Sequence, residues 1–310
     1  MSAEAHIERA RSLSQIGRHD DAVTEARAAI GVDPTNARAH MSLAHTNLMA
    51  NRHADAVFAA SAAIAIQPDW EWPHRLMAVA YRSQGKKFRK RELAAAEQAL
   101  RLAPEYAEVH YTMAETLRHN RKTRKRAYDE AERAIELSPE DDTAHLTLGN
   151  VHLSDGNVVA AEQAYRNALA LDPGSESARS NLALVLRRQR RHEEALPILR
   201  TNVVSNPSDR SNMDALLATA EEFVKAGPLS KLMRKCFYLS ILRFPVVLAL
   251  LLWPFAKLEE RNRIKQLPPD VRVARAQRKA ETPRTTRDER FLFSLLVASI
   301  FVVIIIALTR

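Results

Sequence analysis

The chain has 310 residues, a net charge of +9, a single cysteine and only seven glycines. One thiol excludes an internal disulfide and every multi-cysteine metal motif, and scarce glycine beside abundant alanine favours helix over sheet. The charge is uneven: residues 1–226 hold 30 Lys+Arg against 31 Asp+Glu, whereas residues 227–310 hold 16 against 6. The basic excess therefore lies in the most hydrophobic quarter, a combination that suits anionic lipid before nucleic acid.

The N-terminus, MSAEAHIERARSLSQIGRHDDA, is helical in pattern and has no apolar signal-peptide core, which places the first 226 residues in the cytosol. Pro34, Pro68, Pro104, Pro139, Pro173 and Pro207 then recur at intervals of 34, 36, 35, 34 and 34 residues. Each follows a stretch of apolar i, i+3, i+4 spacing such as AVTEARAAIGVDP or AAEQAYRNALALDP, and each ends that helix, because proline lacks an N–H and disfavours helix in the residue before it. A further helix is predicted about three residues later in every period (ARAHMSLAHTNL, AEVHYTMAETLR, DTAHLTLGNVHL), preceded by Asp33, Asp69, Glu105, Asp141 or Ser175, which suit the positive end of its dipole. Small residues recur where paired helices must approach closely. They are Ala44, Ala78, Ala114, Gly149 and Ala183 in the first helices; Ala22, Ala56, Ala127, Ala161 and Ala195 in the second; and Ala29, Ala63, Ala99, Ala134 and Ala168 further along the second.

The pattern is fullest in the fifth period, at Leu148, Gly149, Gly156, Ala161, Tyr165, Ala168 and Pro173, and it resembles the tetratricopeptide repeat over residues 3–207. The resemblance implies an all-α fold: a right-handed superhelical array of about six antiparallel helix pairs, with a partner-binding groove lined by the first helices. Pro197 inside the last second helix and Asn202 in place of its final alanine predict a distorted sixth repeat, and residues 208–226 read as a helix closing the stack.

Tyr111, Arg118, Asn150 and Asn181 are the candidate groove residues. Asn150 and Asn181 fall where the resemblance places the two asparagines of a carboxylate clamp, but Leu146, Ser211 and Ala215 stand where its basic groups belong. Without those charges a carboxylate loses its charge-assisted bonds, so the asparagines are expected to meet a peptide backbone or water. His6, His40, His74, His110 and His145 recur in phase, yet equivalent side chains of successive repeats stand roughly 10 Å apart, too far to share one metal ion. They read as part-buried packing residues.

The turns inside the repeats are basic: Lys86, Lys87, Arg89 and Lys90 in the third, Arg121, Lys122, Arg124, Lys125 and Arg126 in the fourth, Arg187, Arg188, Arg190 and Arg191 in the sixth. Cations suit the ends of the first helices, whereas Arg124, Lys125 and Arg126 would open a second helix, where they are unfavourable. This edge is expected to meet anionic headgroups or an acidic partner. It lacks the interleaved aromatics that stack on bases, which argues against nucleic acid.

Phe291 to Thr309 is a run of nineteen uncharged residues, at 1.5 Å each about as long as the hydrocarbon layer is thick, and reads as a transmembrane tail anchor. Residues 236–256 form a second hydrophobic segment, interrupted by Arg243, with Pro245 and Pro254 inside it and Tyr238 and Trp253 near its ends. Either it also spans, with Arg243 snorkelling, or it lies in the interface. Residues 257–290, with eleven Lys+Arg against six Asp+Glu, read as a basic linker that obeys the positive-inside tendency only in the second arrangement. Cys236 is a site for acylation by position alone. No phosphate loop, nucleophile elbow or metal cluster is present in the sequence. The expectation is thus a non-enzymatic, cofactor-free adaptor that binds a protein or peptide through its groove at a membrane, bacterial inner membrane before others. Its alternative is a regulatory or biogenesis subunit of a membrane complex acting through the hydrophobic segments.

Overall fold

A computed structural model describes residues 1–206, 209–228 and 245–281. The described residues are helical throughout, without strands: α1 (Ala3–Gln15), α2 (His19–Val32), α3 (Ala37–Met49), α4 (His53–Ile66), α5 (Glu71–Ser83), α6 (Arg89–Leu102), α7 (Ala107–Leu117), α8 (Arg124–Leu137), α9 (Asp142–Asp155), α10 (Val158–Leu171), α11 (Glu176–Arg188), α12 (His192–Ser205), α13 (Arg210–Lys225), α14 (Pro245–Gln266) and α15 (Pro269–Glu281). A single 3-10 turn, Lys86–Phe88, precedes α6. The chain divides into two compact units, Met1–Val185 and Leu186–Arg310.

Every second helix from α2 to α12 is 14 residues long. Each ends in the same way, the residue after it donating its N–H to the carbonyl of Ala29, Ala63, Ala99, Ala134, Ala168 or Asn202. The expected distortion of the sixth second helix is therefore absent from its length and its cap: α12 runs through Pro197 unbroken, and Asn202 is fully buried. The caps of the first helices differ from expectation. Asn36, not Asp33, accepts the free N–H groups of α3, while Asp33 binds the Thr35 N–H and hydroxyl inside the turn. Asp141 does cap α9, through the Thr143 N–H.

In the first unit each first helix packs on its own second helix and also on the first helix of the next repeat, in the order α1, α3, α5, α7, α9. The small positions named above in α2 to α10 are fully buried, as are Ala44, Ala78 and Ala114. Around Ala114 and Ala127, the side chains of Met113, Leu117 and Val151 complete one apolar cluster. Gly149 shows what the small residues allow: a Cβ there would stand 2.5 Å from Cε1 of Tyr165. The fully buried Tyr165 ring thus occupies space that only glycine leaves open.

Three of the in-phase histidines serve the turns. Proline ends each second helix with a carbonyl that has no partner within the helix. His40 Nε2 donates to the Pro34 carbonyl at 2.9 Å, His110 Nε2 to Pro104 at 2.8 Å, and His145 Nε2 to Pro139 at 3.0 Å. Arg179, one period on, donates to Pro173 at 2.8 Å. His110 also faces a carboxylate, with Nδ1 2.7 Å from Glu130 Oε2. Both ring nitrogens meet acceptors, an arrangement that favours the protonated ring. The Glu130 bond first, against burial, and then the Pro104 bond raise its pKa above the ordinary histidine value.

In the second unit α13 is the central element. It packs on α12, α14 and α15, and Leu216, Leu217, Phe223, Ala256, Leu267 and Val271 are buried there. Charged side chains do much of the fastening. Glu221 forms an ion pair with Arg275, 2.7 Å from its Nε, and lies 3.5 Å from Lys279 Nζ. Arg278 meets Asp214 at 3.2 Å, and Arg200 meets Asp270 at 2.8 Å. Arg263 Nη1 donates to the Phe223 carbonyl at 3.0 Å while its guanidinium lies over the Phe223 ring. The segment read as a basic linker is therefore helical as far as Glu281, and its Arg275, Arg278 and Lys279 pair with acidic groups of α13. Nor does a structural boundary fall at residue 256, since α14 continues to Gln266. Among the described residues no helix is long and apolar enough to cross a membrane. The tail at 291–309, together with Pro207, Cys236, Tyr238 and Arg243, lies outside the described residues.

Candidate functional site: the first-helix face

The side chains that the first helices of the first unit share form a continuous polar ladder. Glu115 on α7 is its centre: Oε2 accepts from Arg82 Nη1 of α5 at 2.9 Å and from Arg118 Nε at 2.8 Å, and Oε1 accepts from Asn150 Nδ2 of α9 at 2.7 Å. Asn150 Oδ1 accepts in turn from the Tyr165 hydroxyl and from Asn181 Nδ2 of α11, both at 2.9 Å. Arg118 Nη1 donates to Ser154 Oγ at 2.9 Å. Four successive repeats are joined in this way by groups one period apart.

Burial alone would raise the Glu115 carboxyl, but Arg118, Arg82 and the Asn150 bond outweigh it and hold it below the usual range. Glu92 behaves oppositely. Burial pushes its carboxyl up, and Arg82, 3.6 Å away, offsets only part of that.

Arg118, Asn150 and Asn181 thus come together, but the asparagines are spent chiefly on each other, Tyr165 and Glu115 rather than held open for a ligand. Tyr111 stands apart from them, packed beside Ala107, Ala134 and Ala144. Burial pushes its hydroxyl up to about 12 despite the neighbouring Arg75. Toward the N-terminal end the same face becomes aromatic: Trp72 at the start of α5 lies edge-on to Trp70 at 5.6 Å and 6.5 Å from His45 of α3. Glu115 and Arg82 escaped the reading of the sequence, and Tyr165 was named only for its place in the repeat pattern. The available signal was spacing, since Arg82 and Arg118 hold one repeat position and Glu115 and Asn150 another.

The candidate basic edge is divided between the two units. In the first, the cations that open α8 have partners: Arg124 meets Asp155 at 2.5 Å, Lys125 meets Asp129 at 3.1 Å, and Arg126 meets Glu130 at 3.3 Å. Those acids supply the compensation that the helix dipole denies. Lys86, Lys87, Arg89, Lys90, Arg121 and Lys122 are exposed, with Lys87 over the Phe88 ring. In the second unit, Arg187 pairs with Glu222 and Arg191 with Glu194, while Arg188 and Arg190 are exposed. No group of three or more His, Cys, Asp or Glu among the described residues is arranged to hold a metal ion.

With this geometry in place, residues 7–69, 124–176 and 146–210 match the tetratricopeptide repeat family model. The matched residues are tetratricopeptide repeats. No curated protein sequence matches the chain. Among solved structures, the tetratricopeptide repeat protein TTC0263 of Thermus thermophilus is similar, with a TM-score of 0.55 and 22% identity over 60% of this chain and 99% of that one. The APC/C hetero-tetramer Cut9–Hcn1 gives a TM-score of 0.59 with 15% identity over 70% of this chain and 43% of that one. Yeast Tom70 gives 0.55 with 19% identity over 73% and 47%. The tetratricopeptide chain therefore spans less than half the length of the last two, and at these identities the likeness is one of fold.

Proposed function

We propose that this tetratricopeptide repeat chain is a non-enzymatic adaptor that holds a protein or peptide partner on its first-helix face and is fixed at a membrane by residues 291–309. The observation that carries the reading is the ladder from Arg82 through Glu115 and Asn150 to Asn181. It locks four repeats into one register, and a preorganised face loses less entropy when a partner is bound. The uncharged tail would keep that face, and whatever it holds, at high local concentration near one surface.

Site-specific photo-crosslinkers test the reading in the full chain in native membranes. Placed at Trp72, Leu146 and Leu184 on the first helices, they are expected to capture one and the same protein. At Phe58 and Val159 on second helices, both exposed, they are expected to capture none. Equal capture from both sets, or capture only from probes in residues 245–281, would instead support the subunit reading, in which the C-terminal helices are the contact surface.

A further inference from the structure

Helix α14 is divided lengthwise. One side meets α13: Ala256 and Leu267 are buried, Arg263 binds the Phe223 carbonyl, and the Glu259 carboxylate fills the place a Cβ on Gly227 would take. At 3.6 residues per turn, the other side presents Trp253, Lys257, Arg261 and Lys265 in a row at i, i+4 spacing, with Leu258 next to it and Phe255 further round the exposed surface. All six are exposed, the apolar ones Trp253 by 48%, Leu258 by 55% and Phe255 by 61%. Of the two acids of this stretch, Glu259 belongs to the docked side, and Glu260 borders the row, where it pairs with Lys257 at 3.0 Å. Upstream in the same helix, PVVLALLL contains no charge.

Uncharged residues, then tryptophan, then cations follow the order of hydrocarbon, interface and headgroup in one leaflet. The lengths agree. From Pro245 to Trp253 the helix rises about 12 Å, close to the roughly 15 Å of hydrocarbon in half a bilayer. From Trp253 to Lys265 it rises about 18 Å, more than the 5–8 Å or so of a headgroup layer, so the helix must lie obliquely. We infer that α14 is seated in the surface of an anionic bilayer, with Trp253 and Phe255 at the acyl boundary, Lys257, Arg261 and Lys265 among headgroup phosphates, and α13 held at the membrane by the docked side. The inference rests on the membrane reading above and adds a second, charge-selective contact to the tail. A nucleic acid would find a single aromatic in the row and no platform for successive bases.

Trp253 is one of three tryptophans, so Trp70→Phe and Trp72→Phe in the full chain leave it as the sole reporter. The chain is incorporated into vesicles of phosphatidylcholine with or without phosphatidylserine, carrying lipids brominated near the headgroup. In the anionic vesicles Trp253 emission is expected to shift to the blue and be quenched. The triple variant K257E/R261E/K265E is expected to incorporate equally and lose the quenching, since each basic residue near an anionic surface contributes about fivefold and three contribute roughly a hundredfold. Incorporation with Trp253 unquenched in both vesicles overturns the inference and leaves the tail anchor standing. Quenching that ignores phosphatidylserine and charge reversal also overturns it, as does protection of Trp253 that requires an added membrane protein. Failure to incorporate at all removes the anchoring reading first, and this one with it.

Discussion

The two units are held together by different physics. In Met1–Val185, alanines and one glycine bring helices close enough for Tyr165, Met113 and Val109 to be fully enclosed. Its polar groups, centred on Glu115, are added to a core already closed. In the second unit Leu267 and Val271 are the large apolar side chains of residues 245–281 buried among the described residues, and Glu221, Asp214 and Asp270 serve as anchors for arginine and lysine. Close packing is insensitive to salt, whereas half-exposed ion pairs are screened. One chain therefore contains a region whose cohesion follows volume and a region whose cohesion follows charge.

The sharpest way to break this contrast is at Tyr165. Tyr165→Ala should cost about 4 kcal/mol in urea unfolding of the first unit, from the cavity and the lost hydroxyl bond. Tyr165→Phe, which keeps the ring, should cost only about 1 kcal/mol. If the two variants were equal, the Asn150 bond rather than packing would be the source of stability. Glu115→Gln comes next. It leaves Arg118 without its counter-ion and Arg82 with only the more distant Glu92, each arginine being mostly covered, and a loss of about 3 kcal/mol is expected from the same denaturation curves. Gly149→Ala should cost about 2 kcal/mol by overpacking the Tyr165 ring, and a stability unchanged within error would show that the ring can move aside.

In the second unit, Glu221→Gln should cost about 1–2 kcal/mol, because Arg275 is nearly buried and loses a charged acceptor. Hydrogen exchange should rise over residues 210–225 and 257–281 and not in the first unit. High salt should have the same regional effect on the unmodified chain; exchange that rose equally in both units would remove the distinction drawn here.

The smallest effect concerns pH. His110 has a raised folded pKa, so its contribution is complete below the ordinary histidine value near 6.5 and is lost as pH rises through the folded value. His45, His74, His119 and His152 are lowered, burial being the first cause in each. They contribute in the opposite sense, removing stability as pH falls through 6.5. The difference between the unmodified chain and His110→Gln isolates the first term: it should shrink from pH 6 upward, and a difference constant across that range would show the ring is neutral in the fold.

Much of the array was legible in the residues. The prolines mark the ends of the 14-residue second helices up to α10, and the alanines named from their phase are the ones that are enclosed. The site was less legible. Asn150 and Asn181 were singled out, but as groups awaiting a ligand, because nothing local to either shows that Glu115 and Tyr165 reach them. The histidines were assigned to packing, and their bonds to proline carbonyls six residues back went unseen. Arg124, Lys125 and Arg126 looked misplaced on dipole grounds until Asp155, Asp129 and Glu130 were found opposite them.

What the sequence determined by itself is what proline, alanine and apolar spacing control over one or two turns: where helices stop, which faces are small, and that the units repeat. Those effects act between neighbours in the chain and need no knowledge of the fold. The register of the ladder, the pairing of Arg124 with Asp155 and the docking of residues 245–281 on α13 were decided only by the tertiary structure. Each depends on groups some 15 to 70 residues apart, and the energy of a charge or a hydrogen bond is set by its partner and its burial, neither of which a linear pattern contains.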